Sequence, residues 1–276
     1  MCRWLAYTGS PVLVEDLLYG PEHSLIVQSM SSTMGAEPTN GDGFGLGWYG
    51  DRPTPGVFRS TEPAWNDRNL RELSGHITSP CVFAHVRAST GSPVQETNCH
   101  PFRRGRWLFM HNGLIHGFRQ SKRDLAMAVD PSLFPDIEGT TDTEVFFHLA
   151  LTFGLEEDPI GAVSRAVGLI EDVGRRTGES FPMQMTVATT DGESFYGFRY
   201  SSEGRSRSLF HSTDVSTLRA HYPDNPLLDK VADDARLVVS EPLGGLQGAW
   251  REVPESTCVV IRKGQQELVP FAPVAP

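Results

Sequence analysis

The sequence predicts an α+β fold of layered sheets, and three observations predict it. Strand-length apolar runs fill much of the first 115 residues. Two helical patterns stand together between 142 and 175. Strand runs then resume from 183. Strands, then helices, then strands fits packed sheets better than repeated βαβ units. No stretch is rich enough in Gly, Pro or Ser to divide the chain, so one domain spanning residues 1–276 is expected. The composition, 39% hydrophobic and 21% charged, suits a packed core of this size.

Cys2–Tyr7 reads as a strand starting almost at the terminus, and Pro11–Tyr19 as a turn-bounded segment closed by Gly20-Pro21. In Asn40–Tyr49 the glycines mark a tight turn entering a strand that another part of the chain approaches closely. Pro53 and Pro55 break the next stretch, and Leu70–Ile77 reads as a short helix. Cys81–Arg87 and Trp107–His111 are buried-strand runs. Asp142–Phe153 reads as a helix capped by Thr141 or Asp142, with Glu144 in its first turn. Ile160, Val163, Val167, Ile170 and Val173 give Pro159–Arg175 a helical apolar face that ends near Gly178. Met183–Thr189, Ser194–Tyr200, Leu209–Thr213, Leu237–Val239 and Cys258–Arg262 are strand runs. Thr54–Asn69 and Ser201–Pro226 are expected as surface excursions, and the proline-bearing tail 269–276 as irregular.

The formal charge of −10 argues against nucleic-acid and anionic-lipid surfaces, which need basic patches. No apolar run approaches a membrane span, and Cys2–Pro11 has no signal-peptide core. Cys2, Cys81, Cys99 and Cys258 form no CxxC pair. A cytoplasmic protein with free thiols is expected, the last three being small buried apolar residues.

Cys2 opens the chemistry. Removal of Met1 would leave it with both a thiol and a free α-amino group. That amine, with an ordinary pKa near 8, can take the thiol proton through a water. In Met110-His111-Asn112-Gly113, the Asn112 side-chain amide and the Gly113 backbone N–H can converge on one oxyanion. Arg87, at the end of an apolar strand, suits a bidentate grip on a carboxylate. Asp142 can accept from an ammonium. Singly, each has a plain structural reading: a turn, an ion pair, a helix cap. Together they describe a pocket for an α-amino acid whose side chain ends in an acyl group. Glutamine or a γ-glutamyl amide fits.

With these residues in place, the sequence resembles the class II glutamine amidotransferases. These are N-terminal-nucleophile hydrolases with a four-layer αββα sandwich. The matching pieces run in family order: Met1-Cys2, Asn40–Tyr49, Ala84–Thr90, Asn98-Cys99-His100-Pro101, His111-Asn112-Gly113 and Thr141–Glu144. The resemblance implies Cys2 as nucleophile and Asn112 with Gly113 as oxyanion hole. It implies Arg87 for the glutamyl carboxylate and Asp142 for its amino group, with Thr90 as a further substrate contact. Ala88 stands where an aromatic is common and Gly91 where a His is common, which reshapes the pocket wall. The motifs are similar to the stand-alone γ-glutamyl amidohydrolase branch, which includes the ergothioneine-pathway hydrolase. The residues after about 150 are expected to complete the sandwich.

That reading calls for no cofactor and no metal. Two alternatives stand beside it: transfer of ammonia to a separate synthase, and a non-catalytic binding module on the same fold. A synthase partner and a homo-oligomer are both compatible with it. Gly45-Leu46-Gly47-Trp48-Tyr49-Gly50 matches GxGxxG, but Pro53 and Pro55 leave no helix to meet a dinucleotide phosphate. Cys81, His85, Cys99, His100, His111 and His116 lack recognised zinc-ligand spacing. His100 reads as a structural or pocket-lining residue. Arg103, Arg104 and Arg106 read as a solvated turn beside the site, and Ser240-Glu241 as a strand end.

Overall fold

The computed structural model describes residues 2–34, 39–89 and 91–275. Thr90 lies outside the described residues. The first four strands, β1 (Arg3–Leu13), β2 (Phe44–Trp48), β3 (Gly56–Ser60) and β4 (Thr78–Val86), belong to one sheet. The next four, β5 (Phe102–Arg104), β6 (Trp107–Ile115), β7 (Met183–Thr190) and β8 (Ser194–Ser201), build a second. The chain returns to the first sheet for β9 (Phe210–Ser212), β10 (Arg236–Val239) and β11 (Trp250–Glu252). It completes the second with β12 (Thr257–Arg262) and β13 (Gln265–Pro270). The orders are β11-β9-β10-β1-β4-β2-β3 and β13-β12-β8-β7-β6-β5.

Side chains alternate across a strand, so each sheet has two faces to bury. Trp4 and Ala6 of β1, Phe83 of β4, Leu108 and Met110 of β6, Phe195 of β8 and Ile261 of β12 share one core between the sheets. The intervening residues face outward. Leu5, Tyr7, Val82 and Ala84 join the core beneath helices α1 (Val14–Leu18), α2 (Leu25–Met30) and α3 (Arg68–Ser74). Phe109, Met185, Val187 and Phe198 join the core beneath α4 (Phe118–Met127), α5 (Asp142–Thr152) and α6 (Pro159–Arg176). The result is four layers, αββα, as the family resemblance implies.

Both long helices stand where the periodicity puts them. The cap of α5 is Thr141, whose hydroxyl accepts from Glu144 N at 3.2 Å, and not Asp142, which is the first helical residue. The short helix starts two residues earlier than expected, because Asp67 accepts from Leu70 N at 2.8 Å, and it yields to β4 by Thr78. The tail is not irregular from residue 269. β13 pairs with β12 through Pro270, and Phe271 is buried beyond it. Helices α1, α2 and α4 have no counterpart in the sequence reading. α1 and α2 are only 5 and 6 residues long, too short to show a period.

Gly45 and Gly47 of the GxGxxG run serve sheet packing. A side chain at Gly45 would place its first carbon 2.0 Å from the His100 carbonyl oxygen. Among the described residues no helix is long and apolar enough to cross a membrane. All four cysteines are unpaired, and Cys81, Cys99 and Cys258 are buried.

Candidate active site

Antiparallel register assembles the first part of the site. Arg3 of β1 pairs with Val86 of β4, so Cys2 lies across from Arg87 at the shared end of the two strands. Cys2 and Arg87, together with Gly113 and Asp142, line one cavity of about 440 Å³. The Cys2 thiol is half-buried and sits 3.5 Å from the Ala88 carbonyl oxygen. Burial pushes this thiol up, against the lowering effect of the Ala88 backbone and the Arg87 charge. It therefore rests protonated at neutral pH and needs a base to become a nucleophile.

The main chain at Cys2 is held from both sides. Its carbonyl oxygen accepts from Asn112 Nδ2 at 2.8 Å and from Arg3 Nη1 at 2.9 Å. Asn112 comes from β6, in the opposite sheet. Two residues along β1, Trp4 Nε1 reaches across to Thr186 Oγ1 of β7 at 3.2 Å. These bonds span the two sheets at the site.

Arg87 is 3% exposed. It donates to Ser92 Oγ at 2.7 Å, to Ser89 Oγ and Pro93 O at 3.2 Å, and to Asp42 O at 3.3 Å. Among the described residues no carboxylate pairs with it. A buried guanidinium held only by neutral oxygens remains attractive to an anion. Asp142 opens α5 at the opposite wall. Its Oδ2 accepts from Ile115 N at 2.9 Å and its Oδ1 from Thr143 N at 2.8 Å, tying the end of β6 to the helix.

A group of histidines backs the cavity. His85 and His100 stack with ring centroids 4.2 Å apart, and among the described residues neither ring nitrogen of His100 has a hydrogen-bond partner. Burial pushes His85 down to about 3 and His100 well below its ordinary value, so both are neutral. His111, likewise lowered by burial, sits with Nδ1 3.0 Å from Thr143 Oγ1. His100 reaches the cavity wall, while His85 stays behind it.

One network was not legible in sequence. Glu241 does more than end a strand: it is 1% exposed and lies under the nucleophile segment. Its carboxylate accepts from Arg3 Nε at 2.6 Å, Thr33 Oγ1 at 2.7 Å, Thr33 N at 2.9 Å and Met34 N at 3.2 Å, and pairs with His23 Nε2 at 2.7 Å. Burial alone would raise this carboxyl. The His23, Thr33 and Arg3 bonds overcome that and hold it down at about 2. Ser240 Oγ accepts from Trp4 N at 2.9 Å, one residue further along the same strand. The sequence also gave no sign of the cavity's outer wall, formed by α4 through Phe118, Arg119, Gln120 and Lys122. Arg103, Arg104 and Arg106 do not line this cavity. Arg104 pairs with Asp136 at 2.8 Å and Arg106 with Glu193 at 2.7 Å, both near solvent.

Comparison with known proteins points the same way. Residues 22–179 match the family described as class-II glutamine amidotransferases. The chain is 33% identical to the probable glutamine amidotransferase DUG3 of Saccharomyces cerevisiae, over 95% of this chain and 82% of the relative. It is 29% identical to the gamma-glutamyl-hercynylcysteine sulfoxide hydrolase of Mycolicibacterium smegmatis, over 87% of this chain and 99% of the relative. A solved glutamine aminotransferase class-II domain protein of Silicibacter pomeroyi superposes with a TM-score of 0.73. It is 31% identical, and 99% of this chain and 100% of that one are covered.

Proposed function

The chain belongs to the class-II glutamine amidotransferases, and we propose that it hydrolyses a γ-glutamyl amide through a thioester on Cys2. One observation carries this reading. A thiol, a buried guanidinium without a carboxylate and an acceptor carboxylate line the same cavity as the Gly113 backbone, with Asn112 bonded to the thiol residue.

The roles follow from the chemistry. Removal of Met1 frees the Cys2 α-amino group, which takes the thiol proton through a water. The raised thiol makes that base necessary. Sulfur attacks the side-chain carbonyl carbon. An amide group has two N–H donors. One from Asn112 keeps the Cys2 carbonyl, and the other joins Gly113 N–H in holding the tetrahedral oxyanion. The leaving nitrogen takes the proton as the C–N bond breaks. Water then cleaves the thioester and releases glutamate. Arg87 grips the α-carboxylate, and Asp142 accepts from the α-ammonium. The whole chain serves as one catalytic unit, and its four unpaired cysteines suit a reducing, cytoplasmic compartment.

The test is glutamate release by protein freed of Met1, on glutamine and a panel of γ-glutamyl amides, beside the Cys2→Ala variant. Turnover should vanish in that variant while its melting temperature holds. Full activity without the thiol would overturn the mechanism. Release from glutamine alone would favour an ammonia donor to a separate synthase.

A further inference from the structure

We infer that a second cavity, on the far side of α5 from Cys2, is a binding site for a free α-amino acid, held by its carboxylate and its ammonium. This stands independently of the γ-glutamyl reading.

The cavity has a volume of about 390 Å³ and lies among β3, β5, the segment before α5 and α5 itself. It shares no lining residue with the Cys2 cavity. Helix α5 serves both: Asp142 and Thr143 line one, while Glu144, Phe147 and His148 line the other. A space of this size accommodates a small molecule.

His148 gives the first sign of a ligand. It is 4% exposed, and burial lowers its pKa, so the ring is neutral. Its Nδ1 lies 2.8 Å from the Glu144 carbonyl oxygen. A carbonyl only accepts, so Nδ1 carries the ring's one proton and Nε2 is a bare lone pair. No group among the described residues donates to that Nε2. A buried acceptor of this kind calls for an N–H or O–H from whatever fills the cavity.

The charges on the wall say which donor. Arg104 and Asp136 answer each other at 2.8 Å. Both oxygens of Glu144 are taken by the backbone N–H groups of Glu138 and Gly139, at 2.9 and 2.7 Å. That leaves Arg59, Arg103, Glu96 and Glu138, none with an ion-pair partner among the described residues. Arg59 is the deepest of these cations. Its guanidinium lies 5.5 Å over the Phe102 ring and donates from Nε and Nη2 to one neutral acceptor, the Pro101 carbonyl oxygen. Burial lowers its pKa, as it does for a cation short of a counter-ion. Cations and carboxylates thus stand unanswered around one acceptor lone pair. An anion alone would give His148 no donor, and a cation alone would leave Arg59 unpaired. A zwitterion answers both: its carboxylate meets the Arg59 fork, and its ammonium donates to His148 Nε2 and Glu138.

The probes are L-alanine, L-alaninamide, which lacks the carboxylate, and N-acetyl-L-alanine, which lacks the ammonium. In protein labelled with ¹⁵N in histidine, the His148 Nε2 resonance, identified by its loss in His148→Phe, reports an arriving N–H donor directly. L-Alanine should move it saturably, and both analogues should bind about tenfold more weakly or worse. Arg59→Gln should weaken L-alanine about tenfold. Glu138→Gln should weaken it severalfold, and this exposed side chain keeps the test intact should the Arg59 variant fail to fold. Arg87→Ala, which disables only the carboxylate grip of the Cys2 cavity, should leave the response unchanged. Three outcomes would overturn the site: a resonance that stays fixed throughout the titration, an equal response to all three compounds, or a response lost in Arg87→Ala and kept in Arg59→Gln. Each would leave the hydrolase reading standing.

Discussion

Glu241→Gln is the sharpest perturbation of the nucleophile's support. The substitution keeps shape and removes one charge from a buried site. The carboxylate receives four donors from Arg3, Thr33 and Met34 and pairs with His23, with contacts of 2.6 to 3.2 Å. A Gln side chain can accept at one atom only, and its amide would face donors at the other. Holding the carboxyl near 2 against an ordinary 4.5 corresponds to about 3 kcal/mol of native-state preference for the charged form. Breaking a buried ion pair costs a similar ~3–5 kcal/mol. The lower figure is expected here, since Thr33 and Met34 lie toward solvent. For a chain of this length, ~3 kcal/mol lowers Tm by roughly 6–12 °C. A second effect is kinetic. Arg3 grips Glu241 through Nε and the Cys2 carbonyl through Nη1, so loosening one end loosens the nucleophile. On a γ-glutamyl amide, kcat should fall about tenfold or more while KM changes little, because misplacement of the attacking atom is felt in the chemical step. Thermal melting and steady-state kinetics read the two effects. A Tm within 2 °C of wild type together with unchanged kcat would refute the reasoning.

Two further outcomes are expected. Arg87→Ala should raise KM about a hundredfold on any γ-glutamyl substrate with kcat held within a few-fold, and Arg87→Lys should restore little, since a point charge cannot reproduce the guanidinium fork. An unchanged KM would remove Arg87 from the carboxylate site. The stability of the protein should also fall below pH 6.5. His85 and His100 are buried neutral with lowered pKa, so the unfolded chain takes up protons that the folded one refuses; their contribution is complete above 6.5 and is lost as pH drops toward the folded values. Each costs ~1.4 kcal/mol per pH unit in that window. Glu241 acts separately, its contribution lost only from 4.5 down to about 2. Urea midpoints between pH 7.5 and 5 check this, and His85→Phe should reduce the slope without abolishing it, because His100, His111, His148 and His211 are also held below their ordinary value by burial.

Much of the site was legible because its residues sit where strand alternation and short motifs fix direction. Cys2 precedes a strand whose even positions face the sandwich, Arg87 ends another, and Asn112-Gly113 lies on a third. The α5 and α6 helices announced themselves by period and caps.

Tertiary structure alone decided the rest. Arg3 and Glu241 are 238 positions apart, and no local pattern links them. Glu241 follows β10 and resembled any polar residue at a strand end until the β1–β10 pairing brought it beneath Cys2. His100 gained its stacking partner, and lost its access to water, only when β4 and the segment before β5 came together. Arg119 and Lys122 were ordinary surface charges of an unpredicted helix until α4 closed the cavity wall. Residue type and spacing determine what a side chain can do and which way it points from its own strand. Which groups share a low-dielectric pocket, and which charges there go unanswered, depends on contacts that close only when the two sheets pack.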